Sequence, residues 1–177
     1  MKHIFTFDPD RCCACSACMI GCMDQNDIDV ESGDKCFRKT YDTEIDLPDG
    51  STYCAYLSTA CMHCVDAPCI VACPVGCIRK DPETGFTVYD NTNCIGCKSC
   101  AMACPFGAPR YRRSDGKMVK CDGCNERVKN GMKPACVRNC SFGALDCVTE
   151  EEYLASGSDK ACNRLLEKLD KTKRLRE

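Results

Sequence analysis

The chain has 177 residues, among them 22 cysteines, 12 glycines, 8 prolines and no tryptophan. With cysteine set aside, roughly a third of it is apolar, too little for an ordinary core, and cysteine at about 12% points to cross-links or metal centres instead. The formal charge of −2 leaves no basic footprint for nucleic acid, and no run approaches the roughly 20 apolar residues of a membrane span.

The N-terminus, Met1 to Asp8, has no apolar stretch of signal-peptide length. This argues for the cytoplasm by the chain's own signals and sets aside a disulfide framework, which requires export. The first cysteine group follows at once: Cys12, Cys15, Cys18 and Cys22, spaced C-x2-C-x2-C-x3-C. From Phe37 to Leu57 the chain is rich in β-branched and aromatic residues around Pro48-Asp49-Gly50 and predicts a hairpin. The second group, Cys61, Cys64, Cys69 and Cys73, is spaced C-x2-C-x4-C-x3-C and followed by Pro74. Asp81 to Gly85 then reads as a turn and Phe86 to Tyr89 as a short strand.

The third group, Cys94, Cys97, Cys100 and Cys104, repeats the first spacing and is followed by Pro105. Arg110, Arg112 and Arg113 make a basic patch just beyond it, either a solvated face or a docking surface. The fourth group is Cys121, Cys124, Cys136 and Cys140, spaced C-x2-C-x11-C-x3-C. Thr149 and Glu152 form a capping-box pattern, with Val148 and Tyr153 placed as a hydrophobic staple. A last helix is expected from Ser158, with Ala161, Leu165 and Leu169 on one face.

Three thiols within seven residues can wrap three corners of an iron–sulfur cube, and in two-cluster ferredoxins the fourth ligates the other cube. A helix starting at the fourth cysteine would carry it away from its own loop, and Pro74 or Pro105 would then stop that helix. Zinc needs two cysteine pairs and has no use for a third thiol three residues on. The fourth group alone would also suit zinc; beside three ferredoxin-type groups it reads as iron–sulfur.

The predicted fold is α+β and loop-rich, with two bacterial ferredoxin-like two-cluster units, one inserted within the other. Residues 55–112 form the inner unit. Residues 1–54 and 113–147 form the outer, split unit, and 148–177 form a helical tail. No Gly-rich phosphate loop, Ser/His/Asp set or carboxylate pair stands out, and His3 and His63 are the only histidines. The chain is therefore not expected to be catalytic by itself. His63, Lys98, Lys120 and Arg138 adjoin ligands and are candidates for tuning them. Cys13, Cys36, Cys54, Cys77, Cys147 and Cys162 read as buried free thiols, with Cys13 the exception because it neighbours a ligand.

From about Phe7 to Asp146 the sequence resembles the four-cluster iron–sulfur subunits of molybdenum- or tungsten-pterin oxidoreductases of the dimethyl sulfoxide reductase type. Cys61-Met62-His63-Cys64, Cys94-Ile95-Gly96-Cys97, Lys120-Cys121-Asp122-Gly123-Cys124 and Gly143-Ala144-Leu145-Asp146 carry the likeness. The resemblance implies four [4Fe-4S] clusters with crossed ligands. Cys12, Cys15 and Cys18 would join Cys140, and Cys22 would join Cys121, Cys124 and Cys136. Cys61, Cys64 and Cys69 would join Cys104, and Cys73 would join Cys94, Cys97 and Cys100.

It also implies an electron-transfer role in anaerobic respiration beside a large pterin-bearing catalytic subunit, with a membrane anchor subunit or a soluble carrier as further partner. Co-export with a signal-bearing catalytic subunit would place the complex outside the cytoplasm. The alternatives are a free-standing polyferredoxin, or the equivalent subunit of a formate-hydrogenlyase-like or tungsten aldehyde oxidoreductase complex.

Overall fold

The computed structural model describes residues 2–156; the helix expected from Ser158 and the thiol of Cys162 lie outside them. In chain order the elements are β1 (His3–Phe7), α1 (Ala17–Gln25), β2 (Lys39–Asp46), β3 (Thr52–Thr59), α2 (Pro68–Val71), β4 (Ile78–Lys80) and β5 (Thr87–Tyr89). They continue with α3 (Ser99–Ala103), β6 (Arg110–Tyr111), β7 (Met118–Val119), α4 (Asn125–Lys129), α5 (Ala135–Arg138), β8 (Leu145–Thr149) and α6 (Glu150–Ala155). The class is α+β, with short elements joined by turns. The strands make four separate antiparallel pairs, β1–β8, β2–β3, β4–β5 and β6–β7.

The first pair closes the fold. His3 lies opposite Thr149 and Phe7 opposite Leu145, joining segments some 140 residues apart. Behind it α1 packs on α5. Gly21 makes that approach possible, since a Cβ there would overlap the side chain of Asn139. The middle of the sequence repeats the plan, with α2 against α3 and the β4–β5 hairpin alongside.

The hairpin expected over 37–57 forms as β2–β3, with Thr43 opposite Ala55. Asp49 accepts from the Ser51 amide at 2.9 Å, and Gly50 sits at φ 82° in the turn. Its second strand reaches Thr59, past the boundary drawn at residue 55. The turn at 81–85 forms as expected and gains a partner the sequence did not announce, β4 pairing with β5. The capping box at Thr149 forms too: the Glu152 amide donates to Thr149 Oγ1 at 3.2 Å, and the Thr149 amide to Glu152 Oε2 at 2.8 Å.

One expectation needs correction. Helices do not begin at the fourth cysteine of each group. They carry the third cysteine near their start, as Cys18, Cys69, Cys100 and Cys136 do, and three of the four end before the fourth. Only α1 runs on, through Cys22 to Gln25.

The apolar core is small and divided. Phe86, wholly buried, packs with Val88 and Val128, and a second cluster joins Cys18, Cys136, Val137 and Leu145. A polar tie reinforces the contact between the 81–85 turn and α4. Asp81 accepts from Lys129 Nζ at 2.7 Å, from Asn125 Nδ2 at 3.0 Å and from the Thr84 amide at 3.1 Å. Burial opposes ionisation of this carboxyl, but Lys129 and the converging amides outweigh it and hold the carboxyl well below the usual range. A depressed carboxylate adds stability that is fully present above its ordinary pKa of about 4 and is lost as pH falls through the lower folded value. Asp81→Ala should therefore cost on the order of 3 kcal/mol in denaturant unfolding at neutral pH, because it strands these donors. The cost should shrink progressively as the same measurement is repeated below pH 4.

Candidate iron–sulfur sites

The four cysteine groups share a backbone device. In each C-x-x-C loop the residue before the second cysteine is left-handed: Ala14 at φ 51°, His63 at 46°, Gly96 at 65° and Gly123 at 80°. That turn points successive backbone N–H groups into one concavity, which suits an anion or a sulfur cluster. Beyond the second, third and fourth groups comes another shared turn. Gly76, Gly107 and Gly143 donate to the carbonyls of Cys73, Cys104 and Cys140 at 3.3, 3.2 and 3.0 Å. The next amides, of Cys77, Ala108 and Ala144, then donate to the sulfurs of the same three cysteines at 3.2, 3.4 and 3.2 Å. Cys140 makes this turn without a following proline, so the glycine is what matters. The first group departs, and Asn26 Nδ2 approaches Cys22 Sγ at 3.7 Å in place of an amide.

Three cavities gather cysteines from distant parts of the sequence. Cys12, Cys13, Cys15 and Cys18 line one together with Cys140. Cys61, Cys64 and Cys69 line another with Cys104. Cys73 and Cys77 line a third with Cys94, Cys97 and Cys100. The remaining four expected ligands also lie near one another: a hydrogen bond with Cys36 and burial push the Cys22 thiol up first, then Cys121 and Cys136, and burial, then Asp122 and Cys136, push up Cys124. Among the described residues no three His, Cys, Asp or Glu side chains are grouped so as to hold a single metal ion. The thiols stand round cavities instead, with N–H donors turned on their sulfurs. That donor set fits a sulfur-bridged cluster.

Polar side chains complete the surroundings. Tyr111 OH lies 3.3 Å from Cys100 Sγ, and Ser58 Oγ 3.4 Å from Cys18 Sγ. Arg38, 5% exposed, donates to Ser58 Oγ at 3.0 Å. Burial would lower its pKa, but Cys136, Cys121 and Cys18 nearby push it up. Sequence reasoning missed Arg38, which lies outside every motif and carries no signal of its own. Lys120 is also buried, whereas Lys98 and Arg138 are exposed. The basic patch divides its bonds: Arg112 pairs with Asp115, and the Arg113 amide donates to Asp34 at 2.9 Å.

His63 takes a bond from the Thr87 amide at Nδ1, 3.0 Å away. Burial first, then Lys120, Lys80 and Arg38, push its pKa well down, so the ring is neutral. On one side it borders a groove of about 660 Å³, lined also by Phe5, Leu57 and Met62. Of the spare thiols, Cys77 is buried, Cys36 and Cys147 are half-buried, and Cys13 is exposed. Cys54 is exposed as well, which corrects its reading as a buried thiol. Among the expected ligand thiols, burial and the nearby Cys61 push Cys121 up to about 12, so binding metal there must displace a proton.

This arrangement defines an iron–sulfur protein. The 4Fe-4S dicluster domain family matches residues 52–150. The sequence is 38% identical to the B subunit of anaerobic dimethyl sulfoxide reductase from Escherichia coli over 167 residues, covering 90% of this protein and 80% of that one. The corresponding subunit from Haemophilus influenzae is 39% identical over 159 residues, covering 85% and 76%. The iron–sulfur subunit of the nitrate-inducible formate dehydrogenase of E. coli is 35% identical over 161 residues, covering 83% of this protein and 54% of its own length. The protein belongs to the 4Fe-4S dicluster family of electron-transfer subunits that includes the B subunit of dimethyl sulfoxide reductase. It carries [4Fe-4S] clusters and is a non-catalytic subunit of an oxidoreductase complex.

The shared loop geometry makes opposite demands at equivalent positions. At Gly123 a Cβ would overlap the Phe86 ring, so Gly123→Ala should lower the iron content of the reconstituted protein. Ala14→Gly relieves left-handed strain of about 1 kcal/mol and should leave iron content unchanged.

Proposed function

We propose that this protein relays single electrons through four [4Fe-4S] clusters, two in each of two ferredoxin-like units, between a molybdenum- or tungsten-pterin catalytic subunit and a second redox partner. The inner unit takes residues 55–112; the outer, split unit takes 1–54 and 113–147. Cys12, Cys15, Cys18 and Cys140 hold one cluster, and Cys22, Cys121, Cys124 and Cys136 the next. Cys61, Cys64, Cys69 and Cys104 hold the third, and Cys73, Cys94, Cys97 and Cys100 the fourth.

The observation that carries this reading is the mixed parentage of the cavity walls: in each, three expected ligands of one group face the single expected ligand of another, with Cys13 and Cys77 lining two of the walls as well. A bound [4Fe-4S] cluster supplies one-electron acceptance and donation, at potentials from roughly −700 to +450 mV across proteins. The protein's own residues fix ligand positions, direct N–H groups at the sulfurs and bury compensating cations at Arg38 and Lys120. Exposed apolar side chains favour a subunit over a free carrier. Val65, Val71 and Met102 are 87%, 89% and 79% exposed, beside the cysteines of the middle groups. The named relatives support a catalytic partner of the dimethyl sulfoxide reductase or formate dehydrogenase kind, with a membrane anchor subunit or a soluble carrier as the other partner. No helix among the described residues is long and apolar enough to cross a membrane.

Iron and acid-labile sulfide should each approach about 16 per polypeptide, by colorimetric assay of protein purified without oxygen. Half that content would halve the wire. The subunit alone should exchange electrons with viologen dyes yet turn over no sulfoxide or formate.

Cys13 and Cys15 give a sharper comparison, being two residues apart with opposite roles. Cys13→Ser should keep all the iron, whereas Cys15→Ser should lose up to one cluster and melt earlier. Equal losses would mean the ligand frame is displaced.

A further inference from the structure

Between the second and fourth cysteine groups the fold buries a cation that belongs to no ligand set. Lys120 is 1% exposed. Its ammonium donates to the Cys121 carbonyl at 2.6 Å, to the Thr87 carbonyl, and to Cys61 Sγ at 3.8 Å. Those contacts use the three N–H bonds an ammonium has. His63 answers from the other side. Because Nδ1 accepts the Thr87 amide, the ring proton sits on Nε2, which faces Cys121 Sγ at 3.6 Å. Lys80 Nζ fixes the His63 carbonyl at 2.9 Å, and the ring packs on Phe86 with centroids 4.8 Å apart.

The exchange is reciprocal. A lysine adjoining the fourth group reaches a sulfur of the second, and a histidine within the second group reaches a sulfur of the fourth. We propose that this pair, Lys120 on Cys61 and His63 on Cys121, couples the two facing clusters, holding them at a fixed approach and raising both potentials together. The inference rests on the reading that Cys61 and Cys121 ligate separate clusters. Each added electron increases the negative charge of a cluster. A buried cation and an N–H donor on the ligand sulfurs stabilise that reduced form more than the oxidised one. Because one contact is made to each sulfur across the same gap, both potentials rise.

The test is redox titration of the cluster-loaded full-length protein, followed by electron paramagnetic resonance. Cys61→Ser and Cys121→Ser serve to assign the two signals. The unsubstituted protein must first show separate clusters perturbed by those two substitutions; one shared cluster would overturn the ligand reading itself. Lys120→Met and His63→Phe should then each keep the iron and sulfide content of the parent. The two assigned clusters should become harder to reduce by about tenfold in equilibrium constant, or about 59 mV for one electron, and their magnetic interaction should change. The other two clusters should stay within error of the parent. Unchanged potentials with full iron content, or an equal shift of all four clusters, would overturn the coupling role. Loss of iron in both variants would also overturn it, making the pair a structural prop.

Discussion

Buried sulfur that carries negative charge needs hydrogen-bond donors or cations close by, and most local features of this fold supply one. Leaving such charge unmatched away from water would cost several kcal/mol per site, more than the divided core of Phe86, Val88 and Leu145 could offset. The left-handed residues in the C-x-x-C loops, the glycine turns after Cys73, Cys104 and Cys140, and the buried side chains of Arg38 and Lys120 all answer that need. Secondary structure is correspondingly slight. Helices of four or five residues in the second, third and fourth groups serve mainly to carry a third cysteine and deliver the backbone to a fourth.

The same constraint explains how distant segments are held together. β1 pairs with β8 and α1 packs on α5, so the first and last cysteine groups meet. Protein contacts tie the middle of the sequence to its two ends at several places. The Asp81–Asn125–Lys129 tie is one, the stacking of Phe5 on Phe86 at 5.4 Å another, and the exchange between Lys120 and His63 a third. Each lies beside a ligand-bearing loop or the turn that supports it, so folding and cluster binding reinforce one another.

Much of this was legible in the sequence because cysteine spacing is a direct statement of ligand geometry. The hairpin around Asp49-Gly50, the turn at Asp81 to Gly85 and the Thr149 capping box were legible as well, since each depends on residues close in sequence. The β1–β8 pairing was not, because its five-residue strands carry no alternating pattern and depend on a partner some 140 positions away. The two-residue pair β6–β7 is too short for any periodicity. Ala14 and His63 hide a left-handed turn that Gly96 and Gly123 advertise. Arg38 lies outside every motif, and Lys120 reads equally well as a tuning residue or a solvated one. Only their place in the fold shows both buried among thiols. Helix direction was misjudged for a related reason: spacing gives the interval between ligands, not which of them starts the helix.

An electron relay of this kind depends on cysteines far apart in sequence sharing a site. A crystal structure of the cluster-loaded protein, with an anomalous map at the iron edge, addresses that most directly. Four iron peaks are expected, with Cys140 bound beside Cys12, Cys15 and Cys18, and Cys104 beside Cys61, Cys64 and Cys69. Cys22 bound to the same cluster as Cys12, Cys15 and Cys18 would contradict the crossed ligand sets.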